Sequence, residues 1–149
     1  MANTQIKLID PVHILTARVF YGDTDAGGVV YYGNYLRFLE MGRTEFMRQY
    51  VCPYRELEEQ GIIMPVVECF VRYKAPALYD DLLVVKTSLV SWNEITCRFN
   101  YHILREIDTK LLLIGYTAHA AVSGTGKLGR LPASMIERMA KVCPGENMD

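Results

Sequence analysis

The sequence predicts an α+β domain in which a curved five-stranded antiparallel sheet wraps around one long helix, followed by a short C-terminal helix. Two observations lead to this prediction. From Met64 onward, four consecutive segments have strand patterns and short connections, which is typical of antiparallel strands. The earlier segment Tyr35–Tyr50 has helical spacing and is apolar around most of its circumference, so a sheet must cover it.

The elements follow the order strand, helix, four strands, helix. β-branched and aromatic residues predict the first strand, and alternating apolar residues predict most of the later ones. We expect the last four strands to form a meander, with the nearly all-apolar fifth strand inside the sheet. The predicted strands are Ile14–Tyr21, Met64–Lys74, Leu82–Trp92, Thr96–Arg105 and Leu111–Val122, and the predicted helices are Tyr35–Tyr50, Tyr54–Gln60 and Pro132–Val142.

Two residues refine the long helix. Asn34 directly precedes it and is a good candidate for its N-cap. Gly42 lies in its middle, where glycine costs roughly 1 kcal/mol relative to alanine. We therefore expect another segment of backbone to approach the helix closely at Gly42.

Length and composition suit a single globular domain over residues 1–149. Hydrophobic residues make up 50% of the chain and charged residues 22%, a balance typical of folded proteins. The formal net charge of -1 argues against a nucleic-acid-binding protein. Residues 1–7 lack the apolar region of a signal peptide, and no apolar run approaches the ~18 residues of a membrane helix. We expect a cytoplasmic protein that does not insert into membranes.

The four cysteines argue against a metal site. Cys52, Cys69, Cys97 and Cys143 are far apart and form no Cys-x-x-Cys pair, so zinc binding and dithiol redox chemistry are not expected. We expect them to be thiols in a reducing compartment.

The glycine-rich loop between the first strand and the long helix carries the main chemical signal. Asp23 and Asp25 supply two carboxylates there. The helix start that follows supplies unpaired backbone N–H groups, which stabilise a developing negative charge. One short segment therefore contains both parts of a hydrolytic site.

Two other chemistries fit this string less well. In a calcium loop that starts at Asp23, the fifth position would be Gly27, and the twelfth would be Asn34 where a bidentate glutamate is needed. An aspartyl-phosphate phosphatase begins with strand-Asp-x-Asp, but its fold alternates strands and helices around a parallel sheet. The consecutive strands after Met64 contradict that fold.

The third chemistry rests on a resemblance. Residues 18–40 resemble the signature of the hotdog-fold acyl-CoA thioesterases of the 4-hydroxybenzoyl-CoA thioesterase family, closest to the subgroup associated with the Tol–Pal system. The resemblance continues through residues 72–81 and 129–132. It implies a hotdog fold, homodimers with active sites at the subunit interface, and dimers that pair into tetramers. It also implies hydrolysis of a short-chain or aromatic acyl-CoA to free acid and CoA, with no metal or other cofactor.

The resemblance assigns roles within the loop. It implies that Asp25 is catalytic, as nucleophile or as general base for water; the alternative is an Asx-type turn residue that only shapes the loop. It implies that the backbone N–H of Tyr32 polarises the thioester carbonyl, although the closest subgroup often has histidine at this position. Asp23 matches an acidic position that orders the loop. The expected substrate-binding residues are Gly27, Gly28, Val29, Tyr31, Gly33 and Asn34.

Several assignments keep alternatives open. Gly27 and Gly28 permit positive φ angles and close approach of substrate. Asn34 is more simply a helix cap than a substrate-positioning group. Glu40 on the helix is a second candidate carboxylate, because some related thioesterases use a helical glutamate, but pairing with a neighbouring side chain such as Arg37 is the simpler interpretation.

The remaining expectations concern the substrate. The phosphates of CoA need basic side chains, and the candidates are Arg72, Lys74, Lys127 and Arg130, with solvated surface positions as the alternative. The acyl pocket has aromatic candidates: Tyr31, Tyr32, Phe46 and Tyr73. A thioesterase acting on acyl carrier protein and a non-catalytic acyl-CoA-binding protein are the alternative functions.

Overall fold

A computed structural model describes residues 5–145. The predicted domain covers residues 1–149, so its residues 1–4 and 146–149 lie outside the described range. The strands are β1 (His13–Arg18), β2 (Ile62–Ile63), β3 (Val66–Tyr73), β4 (Leu82–Trp92), β5 (Thr96–Arg105), β6 (Leu111–Ala120) and β7 (Val122–Ser123). The α-helices are α1 (Tyr35–Tyr50), α2 (Tyr54–Glu59) and α3 (Ala133–Val142).

The main sheet is antiparallel and has the strand order β1-β4-β5-β6-β3. The predicted architecture of a five-stranded antiparallel sheet, one long helix and a short C-terminal helix is confirmed. The predicted meander is wrong for β3, which pairs with β6 rather than with β4. The reason is that β1 pairs with the edge of β4 that β3 would need, with His13 opposite Thr87. β2 and β7 form a separate two-stranded ribbon.

The core lies between α1 and the concave side of the sheet. Phe38, Leu39, Phe46 and Met47 of α1 are fully buried. The Phe46 ring packs against the Phe99 ring of β5 at a centroid distance of 5.8 Å. Phe46 is therefore a core residue, and the expectation that it lines an acyl pocket is wrong.

Gly42 explains how α1 approaches the sheet. A Cβ atom at this position would collide with the Thr87 side chain of β4 and would lie 3.0 Å from Val85 Cγ1. The expected close approach is confirmed, but side chains of the sheet, not another backbone, fill the space.

The first strand ends at Arg18, earlier than predicted, because the residue after it hydrogen-bonds to the connection between β3 and β4. The Val19 N–H donates to the Asp81 carbonyl at 2.9 Å, and the Asp80 N–H donates to the Val19 carbonyl at 3.0 Å. The chain then forms one 3-10 turn at Tyr21–Asp23. These bonds fix the start of the following loop against the connection between β3 and β4. Within the described residues, no helix is long and apolar enough to span a bilayer.

Candidate active site

The loop after β1 is a small, tightly bonded hairpin. The Asp25 N–H donates to the Val29 carbonyl at 2.9 Å, and the Gly28 N–H donates to the Asp25 carbonyl at 3.0 Å. Gly28 has φ +79°, which confirms the predicted positive φ at this position but not at Gly27. The Val30 N–H donates to the Ala77 carbonyl at 2.9 Å. The loop is therefore held to the β3–β4 connection.

Asp25 lies at the exposed tip of this hairpin. Its Oδ1 accepts the Gly27 N–H at 2.8 Å, which is the geometry of an Asx turn. A Cβ atom on Gly27 would lie 3.2 Å from that oxygen, so glycine leaves it room. Within residues 5–145, Oδ2 of Asp25 has no hydrogen-bond partner. The loop thus orients the carboxylate through one oxygen and leaves the other open to a substrate.

Asp23 occupies the opposite environment, with 6% of its surface exposed. Its Oδ2 accepts the Phe20 N–H at 2.8 Å, and its Oδ1 binds the Arg37 guanidinium. Its carbonyl accepts the Tyr31 N–H and the Asn34 side-chain amide, each at 2.9 Å. Both carboxylate oxygens are therefore engaged in holding the loop against the start of α1.

Asn34 does not cap α1, contrary to expectation. Its backbone is helical, with φ -73° and ψ -18°, and its side chain makes no capping hydrogen bond. The side-chain amide instead reaches across the loop to the Asp23 carbonyl. A 3-10 turn at Tyr32–Asn34 leads directly into α1, so the first N–H groups of the helical segment belong to Tyr32 and Gly33.

The backbone of Tyr32 lies at the start of the 3-10 turn that leads into α1. Among the described residues, its N–H has no hydrogen-bond acceptor, and it lies at the positive end of the helical segment. The Tyr73 hydroxyl donates to the Tyr32 carbonyl at 2.7 Å and ties this turn to the end of β3. The Tyr32 side chain is 65% exposed, and its ring lies 4.6 Å from that of Tyr31. The backbone, rather than the tyrosine ring, is held in place.

A cleft of about 320 Å³ opens beside this turn. It is lined by Val30, Tyr32, Tyr35, Tyr73, Lys74, Ala75 and Pro76. Tyr35 contributes a buried hydroxyl that accepts the Ala77 N–H at 3.0 Å. The cleft therefore combines aromatic residues with one basic side chain beside the Tyr32 turn.

Sequence reasoning missed three anchoring side chains of this region: Arg37, Tyr35 and the hydroxyl of Tyr73. Their partners lie 14, 42 and 41 residues away along the chain, so no local pattern indicates them. Tyr73 was expected to line the acyl pocket, and the structure adds its bond to the Tyr32 backbone.

The four basic candidates for CoA divide into two groups. Lys74 lines the cleft. Arg72 precedes Tyr73 on β3, so its side chain points to the opposite face of the sheet, where its guanidinium lies 5.9 Å from the centroid of the Phe70 ring. Both residues lie near the Tyr32 turn. Lys74 lines the same cleft as Tyr32, whereas the Arg72 side chain lies on the other face of the sheet.

Lys127 and Arg130 lie at the other end of the sheet. Arg130 forms an ion pair with Glu94, which follows β4. The Asp25 loop, in contrast, contacts the connection that precedes β4. Because β4 has 11 residues, about 33 Å separates its two ends. A single chain therefore does not bring Lys127 or Arg130 to Asp25.

Glu40, the second candidate carboxylate, lies on α1 and is exposed. Arg37, one of the candidate partners of Glu40, binds Asp23 instead. Glu40 follows Tyr32 by eight positions, which is about 12 Å along a helix axis. Within one chain it is therefore remote from the Tyr32 N–H.

The arrangement suits acyl transfer. It offers a carboxylate oxygen without a protein partner, backbone N–H groups at a helix start, and a cleft next to them. In the part of the chain that the structure describes, no group of three or more His, Cys, Asp or Glu side chains is placed to hold a metal ion.

Comparisons with known proteins agree with this chemistry. A family model described as the thioesterase-like superfamily matches residues 19–141. The acyl-CoA thioesterase YbgC of Haemophilus influenzae is 35% identical over 122 residues, covering 81% of this chain and 88% of the relative. The 4-hydroxybenzoyl-CoA thioesterase of Pseudomonas sp. (strain CBS-3) is 35% identical over 78 residues, covering 50% of this chain and 55% of the relative.

The fold has close structural relatives as well. The DHNA-CoA thioesterase from Staphylococcus aureus superposes with a TM-score of 0.84 and 29% identity, covering 87% of this chain and 89% of that structure. The hotdog fold and the family resemblance predicted from residues 18–40 are thus confirmed.

Proposed function

Because the chain belongs to the thioesterase-like superfamily, we propose that it hydrolyses short-chain or aromatic acyl-CoA thioesters to a free acid and CoA, with Asp25 as the catalytic carboxylate. One observation supports this role above the others. Among the described residues, one oxygen of Asp25 has no hydrogen-bond partner, and the same loop leads to the Tyr32 N–H, which has no acceptor there. Asp23, two residues earlier, has both oxygens occupied.

Two chemical routes are open to Asp25. As a nucleophile, it attacks the thioester carbonyl, the C–S bond breaks to release the CoA thiolate, and water then cleaves the resulting anhydride. As a general base, it takes a proton from a water molecule that attacks the same carbonyl, and the C–S bond then breaks to release CoA and the free acid. Both routes place negative charge on the carbonyl oxygen, where the Tyr32 N–H would stabilise it.

The second part of the proposal is that the active enzyme is a homodimer, and that dimers pair into tetramers as the family resemblance implies. β3 is an edge strand with its outer backbone groups unpaired in the sheet. It also exposes Val66 and Val67, at 45% and 60%. Such an edge is suited to pairing with another strand.

Dimerisation through β3 would also complete the CoA site. Antiparallel pairing of two β3 strands around a two-fold axis places the Tyr73 end of one beside the Val66 end of the other. Val66 pairs with His119 near the end of β6, so it lies at the end of the sheet that carries Lys127 and Arg130. Those two basic side chains would then approach the Asp25 loop of the second subunit. On this basis we propose Lys127, Arg130 and the cleft residue Lys74 as CoA ligands, with Arg72 as a further candidate from the other face of the sheet.

The test is a direct assay of CoA release. Purified protein is incubated with aliphatic and aromatic acyl-CoAs and with the same acyl groups on acyl carrier protein, and thiol release is followed. The proposal expects turnover of CoA thioesters that Asp25→Asn abolishes and that exceeds turnover of carrier-protein thioesters. Exclusive turnover of carrier-protein thioesters would support the alternative substrate, and acyl-CoA binding without any hydrolysis would support a non-catalytic binding protein.

A further inference from the structure

Two cavities lie beside α1 beyond the cleft at Tyr32: one between α1 and the β3 side of the sheet, and one between α1, α2 and β2. The smaller has a volume of about 200 Å³, and the larger about 380 Å³. Glu40 and Arg43 of α1 line both. Since Tyr32, Leu36, Leu39 and Arg43 follow one another along the helix at spacings of three or four residues, the cleft and the smaller cavity lie along one face of α1.

The smaller cavity has a mixed lining. Leu36, Leu39 and Val66 contribute apolar side chains, Cys69 contributes a thiol, and Glu40, Arg43 and Thr117 contribute polar atoms. Such a lining suits an organic group that is apolar along most of its length and polar at one end.

Arg43 is the unusual member of this lining. Its positive charge lies near the buried Tyr101 hydroxyl and partly offsets the rise that burial causes in the pKa of that group. That hydroxyl bonds Thr117 Oγ1 at 2.6 Å, and Thr117 Oγ1 lies 2.8 Å from His119 Nε2. Among residues 5–145, no carboxylate oxygen lies within 4.0 Å of Arg43. A guanidinium carries five N–H donors, so this network leaves several of them available.

The groups behind Arg43 do not supply a negative charge. Burial raises the pKa of the Tyr101 hydroxyl to about 12 and that of the Cys97 thiol to about 12. Burial lowers the pKa of His119 to about 4. All three are therefore neutral at pH 7. Glu40, which lines both cavities, and Glu58, which lines the larger one, are exposed and lie farther from Arg43 than an ion pair.

We propose that Arg43 is a specificity-determining residue that binds an oxygen at the far end of the acyl group. The preferred substrates are acyl-CoAs whose acyl group carries a hydroxyl, carbonyl or carboxylate oxygen opposite the thioester. This inference rests on the proposed function, because it takes the Tyr32 N–H as the site of the thioester carbonyl.

The length of the helix limits the acyl group. Tyr32 and Arg43 are 11 positions apart, which is about 16 Å along a helix axis. Side chains on a helix lean toward its N-terminus, so the guanidinium is closer to Tyr32 than its Cα is. An extended acyl group with a hydrogen bond of about 3 Å at each end can bridge the shortened distance, and an acetyl group cannot.

The test compares matched substrates that differ only at the far end: cinnamoyl-CoA with p-coumaroyl-CoA, and hexanoyl-CoA with adipoyl-CoA. In the wild type, kcat/KM is expected to favour an oxygen-bearing member by about 10-fold or more, the effect of a hydrogen bond to a charged group. Arg43→Met is expected to reduce this ratio to near one. Equal kcat/KM within both wild-type pairs, or an unchanged ratio in Arg43→Met, would overturn the inference.

Two further variants separate recognition from a structural role. Tyr101→Phe removes the buried hydroxyl near Arg43 and should keep the wild-type ratio. If Tyr101→Phe lowers the ratio as far as Arg43→Met does, Arg43 acts through the fold and the inference is wrong. If Arg43→Met does not fold, Arg43→Lys keeps the charge and should retain part of the preference. Failure of the wild type to hydrolyse any of the four thioesters would instead refute the proposed function.

Discussion

Asp23 and Asp25 are two residues apart and chemically identical, yet the fold places them in opposite environments. Asp23 is buried, with one oxygen on the Phe20 N–H and the other on the Arg37 guanidinium. Asp25 is exposed, with one oxygen on the Gly27 N–H and the other without a partner in the described residues. The difference indicates that Asp23 serves the loop's structure, and it leaves Asp25 available for chemistry.

The largest expected effect comes from Asp25→Asn. This change keeps an oxygen for the Gly27 N–H and removes the negative charge. A positioned acid or base contributes about 100- to 10,000-fold to the rate, so kcat should fall by that range while the melting temperature changes little. Thiol release and thermal unfolding measure the two quantities. Near-wild-type kcat would show that Asp25 is not the catalytic carboxylate.

The next effect separates the backbone of Tyr32 from its side chain. Tyr32→Pro removes the N–H at the first position of a helical turn, where proline is tolerated, and Tyr31 before it is already extended at ψ 133°. Loss of one oxyanion donor typically lowers kcat about 100- to 1,000-fold. Tyr32→Ala is the matched control, since it removes the same ring and keeps the N–H.

These two Tyr32 variants have a clear contrary outcome. Equal kcat values for Tyr32→Pro and Tyr32→Ala, both well folded by circular dichroism, would show that the N–H does not contribute. A large loss in Tyr32→Ala alone would instead assign a role to the exposed ring.

Asp23→Asn should mainly lower the stability of the fold, whereas Asp25→Asn should mainly lower kcat. It leaves the Arg37 guanidinium without its anion, but Arg37 is 49% exposed and water replaces part of the interaction. The expected loss in the free energy of unfolding is about 1–3 kcal/mol, measured by urea denaturation. We expect a smaller fall in kcat than for Asp25→Asn. Unchanged stability together with a larger fall in kcat would exchange the roles of the two aspartates.

The smallest effect is expected from Tyr73→Phe. The change removes the hydroxyl that donates to the Tyr32 carbonyl at 2.7 Å and keeps the aromatic ring in the cleft. A neutral hydrogen bond contributes about 0.5–1.5 kcal/mol, so kcat should fall only about 2- to 10-fold. Tyr79→Phe alters another exposed tyrosine that contacts Tyr21 rather than this turn, and it should leave kcat unchanged.

Periodicity in the sequence identifies the main elements well, because each depends on local patterns. The bounds of α1, β4 and β5 agree with the structure. The placement of β3 beside β6 was not predicted, because strand order depends on which edges remain open after β1 pairs with β4. Composition and periodicity do not show whether β1 or β3 pairs with the open edge of β4.

In the candidate site, too, local features were predicted and long-range contacts were not. The loop motif identifies Asp25 and Tyr32 as candidates, and Gly28 has the expected positive φ. The separate environments of Asp23 and Asp25 depend on Arg37, which is 14 residues from Asp23, and no spacing rule indicates that contact. The expected cap at Asn34 was wrong for a similar reason, since its amide found a carbonyl across the loop.

The central claim is that Asp25 and the Tyr32 N–H act on the same thioester carbonyl. It can be tested with isotope-edited infrared spectroscopy of an acyl-CoA bound to Asp25→Asn, in which the thioester should remain uncleaved. The account predicts that the carbonyl band shifts to lower frequency on binding to Asp25→Asn, and that the shift disappears in the double variant Asp25→Asn with Tyr32→Pro while the acyl-CoA stays bound. An identical band position in the two bound complexes would contradict it.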